Sequence, residues 1–208
     1  MLFILPLVLG FLIAFLAVIP PGLINMTAAK ISTQDGKIEA LSFAAGAALI
    51  IFFQTFTAVL FARFINNHQE IVATLQEIGI FVFLLLSIYF FWIAKKPKKI
   101  KTDREVKGKS NRFFLGMLLS TLNLLPIPFY VFASMTLSAS GYFNFDTISV
   151  LSFVIGVVLG SFTVFYTYIV SFKKIEKKTE FLMNNSNTII GSVTTFMAVV
   201  TLFKLFYQ

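Results

Sequence analysis

Hydrophobic residues in this chain run in long blocks rather than alternating or recurring on one face. Six blocks approach the roughly 20 residues that a helix needs to cross hydrocarbon. They lie at positions 2–19 (continuing toward 29), 40–62, 78–94, 113–137, 148–172 and 188–206, with polar and charged residues gathered between them. None shows the period-two alternation of a membrane barrel. The pattern predicts an all-α integral membrane protein with six transmembrane helices.

Two of the blocks are interrupted. Ile19-Pro20-Pro21-Gly22-Leu23 breaks the first, and Asn123-Leu124-Leu125-Pro126-Ile127-Pro128 breaks the fourth. A proline inside a helix removes an amide donor and clashes with the carbonyl four residues back, at a cost of about 3 kcal/mol. In hydrocarbon the freed backbone groups must also find a partner. Helices broken at corresponding positions of two halves point to a transporter's central site. Prolines that merely kink a helix for packing are the alternative.

Charge sets the orientation. Of the 17 Lys and Arg, all but Arg63 and Lys204 fall in the connections that follow the first, third and fifth blocks. The positive-inside bias puts those connections in the cytoplasm and both termini outside the inner membrane. The basic loop 95–112 then divides a first three-helix repeat, 1–94, from a second, 113–208. An odd number of helices inverts the second repeat relative to the first.

The second helix of each half carries small residues at four-residue spacing: Ala40, Ala44 and Ala48, then Ser152, Gly156 and Gly160. Such a face lets two backbones approach closely. It serves either as a sliding surface in transport or as static packing, including a contact between copies in a homo-oligomer. Tyr89 and Trp92 are placed at the inner headgroup level, and Tyr142, Phe143 and Phe145 at the outer one.

Composition narrows the chemistry. The chain is 58% hydrophobic and 12% charged, against about 25% charged in soluble domains. The first block has no basic residue ahead of it and no small-residue cleavage site, so it reads as a membrane helix rather than a cleaved signal. The absence of cysteine excludes disulfides and thiol chemistry. The net charge of +8 follows from the topology. No aromatic residues interleave the lysine run, so no nucleic-acid partner is expected. No Asp, Glu, Lys, Arg or His lies clearly inside a block, Lys204 standing close to the end of the sixth; His68 falls in an outer connection, and Asp35 and Glu39 at the inner edge. A hydrolytic dyad, a carboxylate relay and a metal cluster are therefore missing from the blocks. The expectation is no enzyme and no cofactor.

The breaks themselves offer binding groups. Pro20 and Pro21 release the carbonyls of Leu16 and Ala17; Pro126 and Pro128 release those of Leu122 and Leu124. Carbonyls at the negative end of a half-helix suit a cation or ammonium group, and the amides opening the next half-helix suit a carboxylate. Together they suit a zwitterion such as an amino acid. Gly22 adds backbone freedom and close access, and Asn25 and Asn123 add neutral donors and acceptors. The candidate substrate-binding set is Pro20, Pro21, Gly22, Asn25, Asn123, Pro126 and Pro128. Gln54, Thr55, Thr57, Ser120, Thr121 and Tyr130 stand nearby, with the serines and threonines expected to bond backbone or neighbouring helices.

The run Phe15-Leu16-Ala17-Val18-Ile19-Pro20-Pro21-Gly22-Leu23, then Asp35-Gly36-Lys37 and Gly46, resembles the start of the LysE-type amino-acid exporter family. Members of that family carry Pro-Gly-Pro in the first helix, a glycine-basic pair, and a glycine-rich second helix. Gly116-Met117-Leu118-Leu119-Ser120-Thr121-Leu122-Asn123 is similar to the family's stretch ending in Asn-Pro. Here Leu23 stands in place of the second proline of the first motif, and Leu124 follows Asn123. Pro21, Gly22 and Asn123 are the positions that match the family's motifs. The resemblance implies secondary, ion-coupled export, with an amino acid as substrate and a proton or sodium ion as coupling ion. Because no ionised side chain lies clearly inside a block, the substrate is expected to be neutral. Export of another small solute or cation, or a non-transporting scaffold role, stands as the alternative.

Overall fold

The computed structural model describes residues 3–68 and 111–184, together with Leu84, Leu85, Ser87, Ile88, Trp92 and Thr195. These residues form α1 (Ile4–Val18), α2 (Leu23–Gln34), α3 (Lys37–Asn66), α4 (Arg112–Leu122), α5 (Pro126–Ala139) and α6 (Thr147–Asn184). Apart from the single positions, the expected spans 78–94 and 188–206 lie outside the described residues, as does most of the basic loop.

Helix α3 and the 147–171 part of α6 are long and apolar enough to cross a membrane. The most apolar 18-residue stretch has a mean hydropathy of 2.0 in α3 and 2.3 in α6. The two proline-bearing blocks are each a pair of shorter helices. α1 turns into α2 through 77°, and α4 into α5 through 66°. Each bent pair counted as one span gives four spans among the described residues.

Local chemistry explains the ends. Asp146 caps α6, its Oδ1 accepting from the amides of Ile148 at 3.1 Å and Ser149 at 3.0 Å. Asn111 caps α4 in the same manner through the amide of Phe113. Both α2 and α5 stop at a glycine in the left-handed region, Gly36 at φ +98° and Gly141 at φ +77°, where other residues are strained. At Gly141 the amides of Gly141 and Tyr142 return to the carbonyls of Ser138 and Leu137, which closes the helix in a Schellman motif.

The chain divides into two compact units, residues 1–64 with 106–176, and residues 65–105 with 177–208. The first contains a core in which Phe43, Ala44, Ala47 and Val59 of α3 join Phe153, Val154, Val157 and Phe165 of α6. Phe143 belongs to this core, 2% exposed and in ring contact with Phe145 and Phe153. Its ring thus packs inward between helices, while that of its neighbour Tyr142 is 59% exposed. In the second unit the hydroxyls of Ser87 and Thr195 bond at 2.5 Å, and Trp92 is exposed.

Glycine decides which helices touch within the first unit. A Cβ on Gly156 would stand 2.1 Å from the Leu7 carbonyl oxygen, and one on Gly160 2.4 Å from that of Phe11. On the facing side, a Cβ on Gly10 would meet the Phe153 carbonyl oxygen at 2.3 Å. α1 and α6 therefore cross backbone against backbone. α3 and α4 do the same: a Cβ on Gly46 would meet the Phe113 oxygen, and one on Gly116 the Phe43 oxygen, each at 2.0 Å. The two crossings share one register. Leu7, Gly10 and Phe11 stand to Phe153, Gly156 and Val157 as Phe113, Gly116 and Met117 stand to Phe43, Gly46 and Ala47. In both cases the first helix of one half packs on the second helix of the other. In α6 the contact uses Gly156 and Gly160 of the expected small-residue face, whereas in α3 it uses Gly46, which stands outside the Ala40, Ala44 and Ala48 series.

Candidate functional site

The first break is closed by side chains from two directions. α1 keeps its ladder up to the Ile19 amide, which donates to Phe15 at 3.2 Å. The next carbonyls have no helical partner, because Pro20 and Pro21 lack amides and the chain turns away. Asn25, 3% exposed, reaches back from α2 and donates through Nδ2 to the carbonyls of Val18 at 2.6 Å and Pro20 at 3.0 Å. Between them, the Ile19 carbonyl accepts from the Tyr168 hydroxyl of α6 at 2.8 Å. The carbonyls in use are thus Val18, Ile19 and Pro20. Leu16 and Ala17, whose carbonyls were expected to serve, occupy exposed positions.

The second break repeats the device with a different helix as donor. Gln54 of α3, 8% exposed, donates through Nε2 to the carbonyls of Ser120 and Asn123, each at 3.0 Å. The Asn123 amide also returns to Ser120 at 3.1 Å. Asn123 thus takes part through its backbone, as the residue capping α4. The Leu124 carbonyl is not free as expected, since it accepts from the Ile127 amide at 3.2 Å. Leu122 does face Pro126 four residues on, where no amide exists. Pro126 and Pro128 open α5, where proline's missing donor costs least.

Both breaks therefore carry an amide side chain whose nitrogen bridges two backbone carbonyls. In each the remaining amide oxygen, Asn25 Oδ1 or Gln54 Oε1, is buried with no hydrogen-bond partner. The hydroxyl oxygens of Thr55 and Ser120 are in the same condition. Unpaired buried acceptors are uncommon in folded proteins, and each calls for an explanation. Among the described residues no hydrogen bond runs from one break to the other.

Gly22 departs from its expected role in one respect. It precedes α2 at φ −114° and ψ 177°, extended backbone that any residue adopts, so its conformational freedom is not in use. Nothing lies within 4 Å of a Cβ placed there, so close access remains open. Sequence reasoning noticed Gln54 only as a neutral group within the second helix, and it missed Tyr168. Both donate across the helix packing, and no local motif marks them.

Two further features lie away from the breaks. Arg112, at the start of α4, pairs with Asp35 after α2 at 2.6 Å, both in connections assigned to the inner side. An apolar crevice of about 420 Å³ opens among α3, α4 and α6, lined by Ala45, Ala48, Leu49, Phe52, Phe113, Val158 and Phe162. It offers no polar group to a charged solute. No group of three or more His, Cys, Asp or Glu that could hold a metal ion occurs among the described residues.

Comparison with known proteins identifies one family. The family model of the LysE type translocators matches residues 15–205. Neither a curated protein nor a solved structure matches the chain.

Proposed function

Because the chain belongs to the LysE type translocator family, a family of transporters and not of enzymes, we propose that it exports a neutral amino acid or similar small zwitterion. The membrane in question is the inner one, with both termini outside, on the distribution of Lys and Arg. The observation that carries the reading is the pair of breaks. Each exposes a helix end in the middle of an apolar block, and each holds a buried amide oxygen with no partner. Empty acceptors suit a substrate's ammonium group, and the opening amides of α2 beside the uncrowded Gly22 suit its carboxylate. Pro20, Pro21, Gly22, Asn25, Asn123, Pro126 and Pro128 form the binding region, joined by Gln54.

An inverted repeat is the symmetry that would give the two glycine crossings their common register. On that reading the bodies that rock during alternating access are the crossed pairs, α1 with α6 and α3 with α4. The sequence halves do not move as units, because rocking one half against the other would tear both crossings. A neutral substrate exchanged for an inward cation draws on the membrane potential, worth about 2.3 kcal/mol per charge per 100 mV.

Reconstituted vesicles loaded with a mixture of amino acids test the reading. Neutral amino acids are expected to leave first under an inward ion gradient. Preferential release of lysine or arginine overturns the substrate assignment, because no counter-charge is offered in the blocks. Asn123→Leu is expected to insert at normal abundance and to impair export. Wild-type export by that variant removes Asn123 from the site.

A further inference from the structure

Asp35 and Arg112 each stand at the unfavourable end of their own helix. Asp35 caps the C-terminal end of α2, and Arg112 opens α4. Helix dipoles favour cations at C-termini and anions at N-termini, so each charge opposes the helix that carries it. Each suits the other helix instead. The Asp35 carboxylate meets the positive end of α4 and the Arg112 guanidinium meets the negative end of α2, with Nη2 donating to Oδ2 at 2.6 Å. The side chains are 13% exposed for Arg112 and 34% for Asp35, so solvent screens the pair only in part. α2 and α4 are themselves in contact.

The pair spans a boundary between the two crossed pairs of helices. α2 is held to α6: Ala29 packs in a buried cluster with Val164 and Tyr168, and the Ser32 hydroxyl donates to the Ile169 carbonyl at 2.8 Å. The Asp35 amide donates to the Ile31 carbonyl at 2.8 Å, which keeps Asp35 on α2. α4 is held to α3 by the crossing at Gly46 and Gly116. Between Asp35 and the start of α3 lies only Gly36, at φ +98°. The chain thus passes from one crossed pair to the other at a single glycine, beside the ion pair. α5 ends in the same way, with Ser140 as the cap before Gly141. That cap carries no charge, and its hydroxyl turns back to the Thr136 carbonyl of its own helix at 2.9 Å.

We propose that Asp35 and Arg112 form a latch that closes the path between α2 and α4 on the cytoplasmic side, with Gly36 as its hinge. While the pair is made, α2 with α6 is tied to α4 with α3. Opening toward the cytoplasm requires the two charges to part, and the hinge glycine absorbs the change of backbone angle. Because the matching cap of α5 is uncharged, the bias runs one way, toward the state closed on the inside. The assignment rests on the reading of the chain as an alternating-access exporter, and its test reads the gate without any substrate.

The chain has no cysteine, so a single introduced thiol reports on opening. Ile31, 4% exposed and one turn before Asp35, is replaced by cysteine in the full-length protein. Its labelling by an impermeant thiol reagent is followed in inside-out membrane vesicles. Asp35→Asn and Arg112→Gln are each expected to speed labelling by about two- to fivefold, the shift that a partly exposed ion pair sustains. The exchanged pair, Asp35→Arg with Arg112→Asp, is expected to return labelling to the slow rate. Unchanged labelling in both single variants overturns the latch. So does fast labelling in the exchanged pair, or an acceleration confined to vesicles of the opposite orientation. A second measurement does not depend on the single variants folding normally. Cysteines at positions 35 and 112, joined by a short bifunctional thiol reagent, are expected to stop export until the link is reduced; undiminished export by the linked protein overturns the latch. Export with labelling indifferent to both charges defeats the latch alone, whereas charge-dependent labelling without export of any amino acid defeats the exporter reading alone.

Discussion

The hydroxyl of Tyr168 donates to the carbonyl of Ile19 at 2.8 Å, so the end of α1 is held by a helix encoded far downstream. Tyr168→Phe keeps the ring and deletes the donor. Hydrogen bonds between membrane helices average ~0.6 kcal/mol, while an acceptor left without a partner loses about 1–3 kcal/mol. A loss of about 1 kcal/mol is expected, read as a lowered melting temperature in detergent. An unchanged melting temperature would mean that water or a neighbouring group replaces the hydroxyl.

Substitution at the glycine crossings acts through the backbone. Gly156→Ala would place a Cβ 2.1 Å from the Leu7 oxygen, and Gly116→Ala one 2.0 Å from the Phe43 oxygen. Neither neighbour is a flexible side chain, so the helices must separate. Destabilisation of about 1–3 kcal/mol is expected for each, again from thermal melting. A loss at one glycine and none at the other would argue against equivalent crossings.

Gly22→Ala discriminates between a structural and a binding role for the first break. Its backbone angles suit any residue, and nothing lies within 4 Å of the added methyl. Abundance and melting temperature are expected to stay within about 0.5 kcal/mol of wild type, as for substitutions away from packed features. Export is expected to fall, because the methyl occupies the approach to the opening amides of α2. Normal export would place the substrate elsewhere.

Asp146 predicts an acid limb in stability. The Ser149 side chain, with the amides of Ser149 and Ile148, holds its carboxyl below the usual range. A carboxyl with a lowered folded-state pKa contributes stability that is complete above its unfolded value of about 4. That contribution fades as pH falls through the folded value. Asp146→Asn keeps a capping oxygen without the charge and is expected to flatten this limb, whereas Asp146→Ala costs about 1 kcal/mol at neutral pH. Melting curves of the wild type and the two variants between neutral and acid pH provide the comparison. Curves that run parallel for wild type and Asp146→Asn would exclude the carboxyl as the cause.

What could be read from the residues alone divides by range. Pro20, Pro21 and Pro126 announce broken helices because proline's missing donor is a local property, and α1 and α4 end, and α2 and α5 begin, where those prolines require. The apolar blocks 40–62 and 148–172 announce α3 and α6 for the same reason. Partner choice was not legible. Gln54 and Tyr168 are ordinary residues until the fold sets the first beside the carbonyls of Ser120 and Asn123 and the second beside that of Ile19. At the first break Asn25 and Tyr168 reach Val18, Ile19 and Pro20 instead of the carbonyls of Leu16 and Ala17. Phe143 reads as an interface aromatic by its neighbours Tyr142 and Asn144, yet the turn after Gly141 sends its ring into the core. Small residues at four-residue spacing foretold close packing without saying which helix would fill the groove.

The exchange of partners between the halves bears on how the chain is made. α1 leaves the ribosome well before the backbone it crosses, around Gly156 and Gly160, is synthesised. Until then Gly10 faces lipid, and the end of α1 lacks the hydroxyl of Tyr168. A nascent chain cut anywhere before α6 therefore contains inserted helices without their fixed neighbours. Assembly waits on the fifth apolar block, and membrane quality control has a long interval in which to recognise an unfinished molecule.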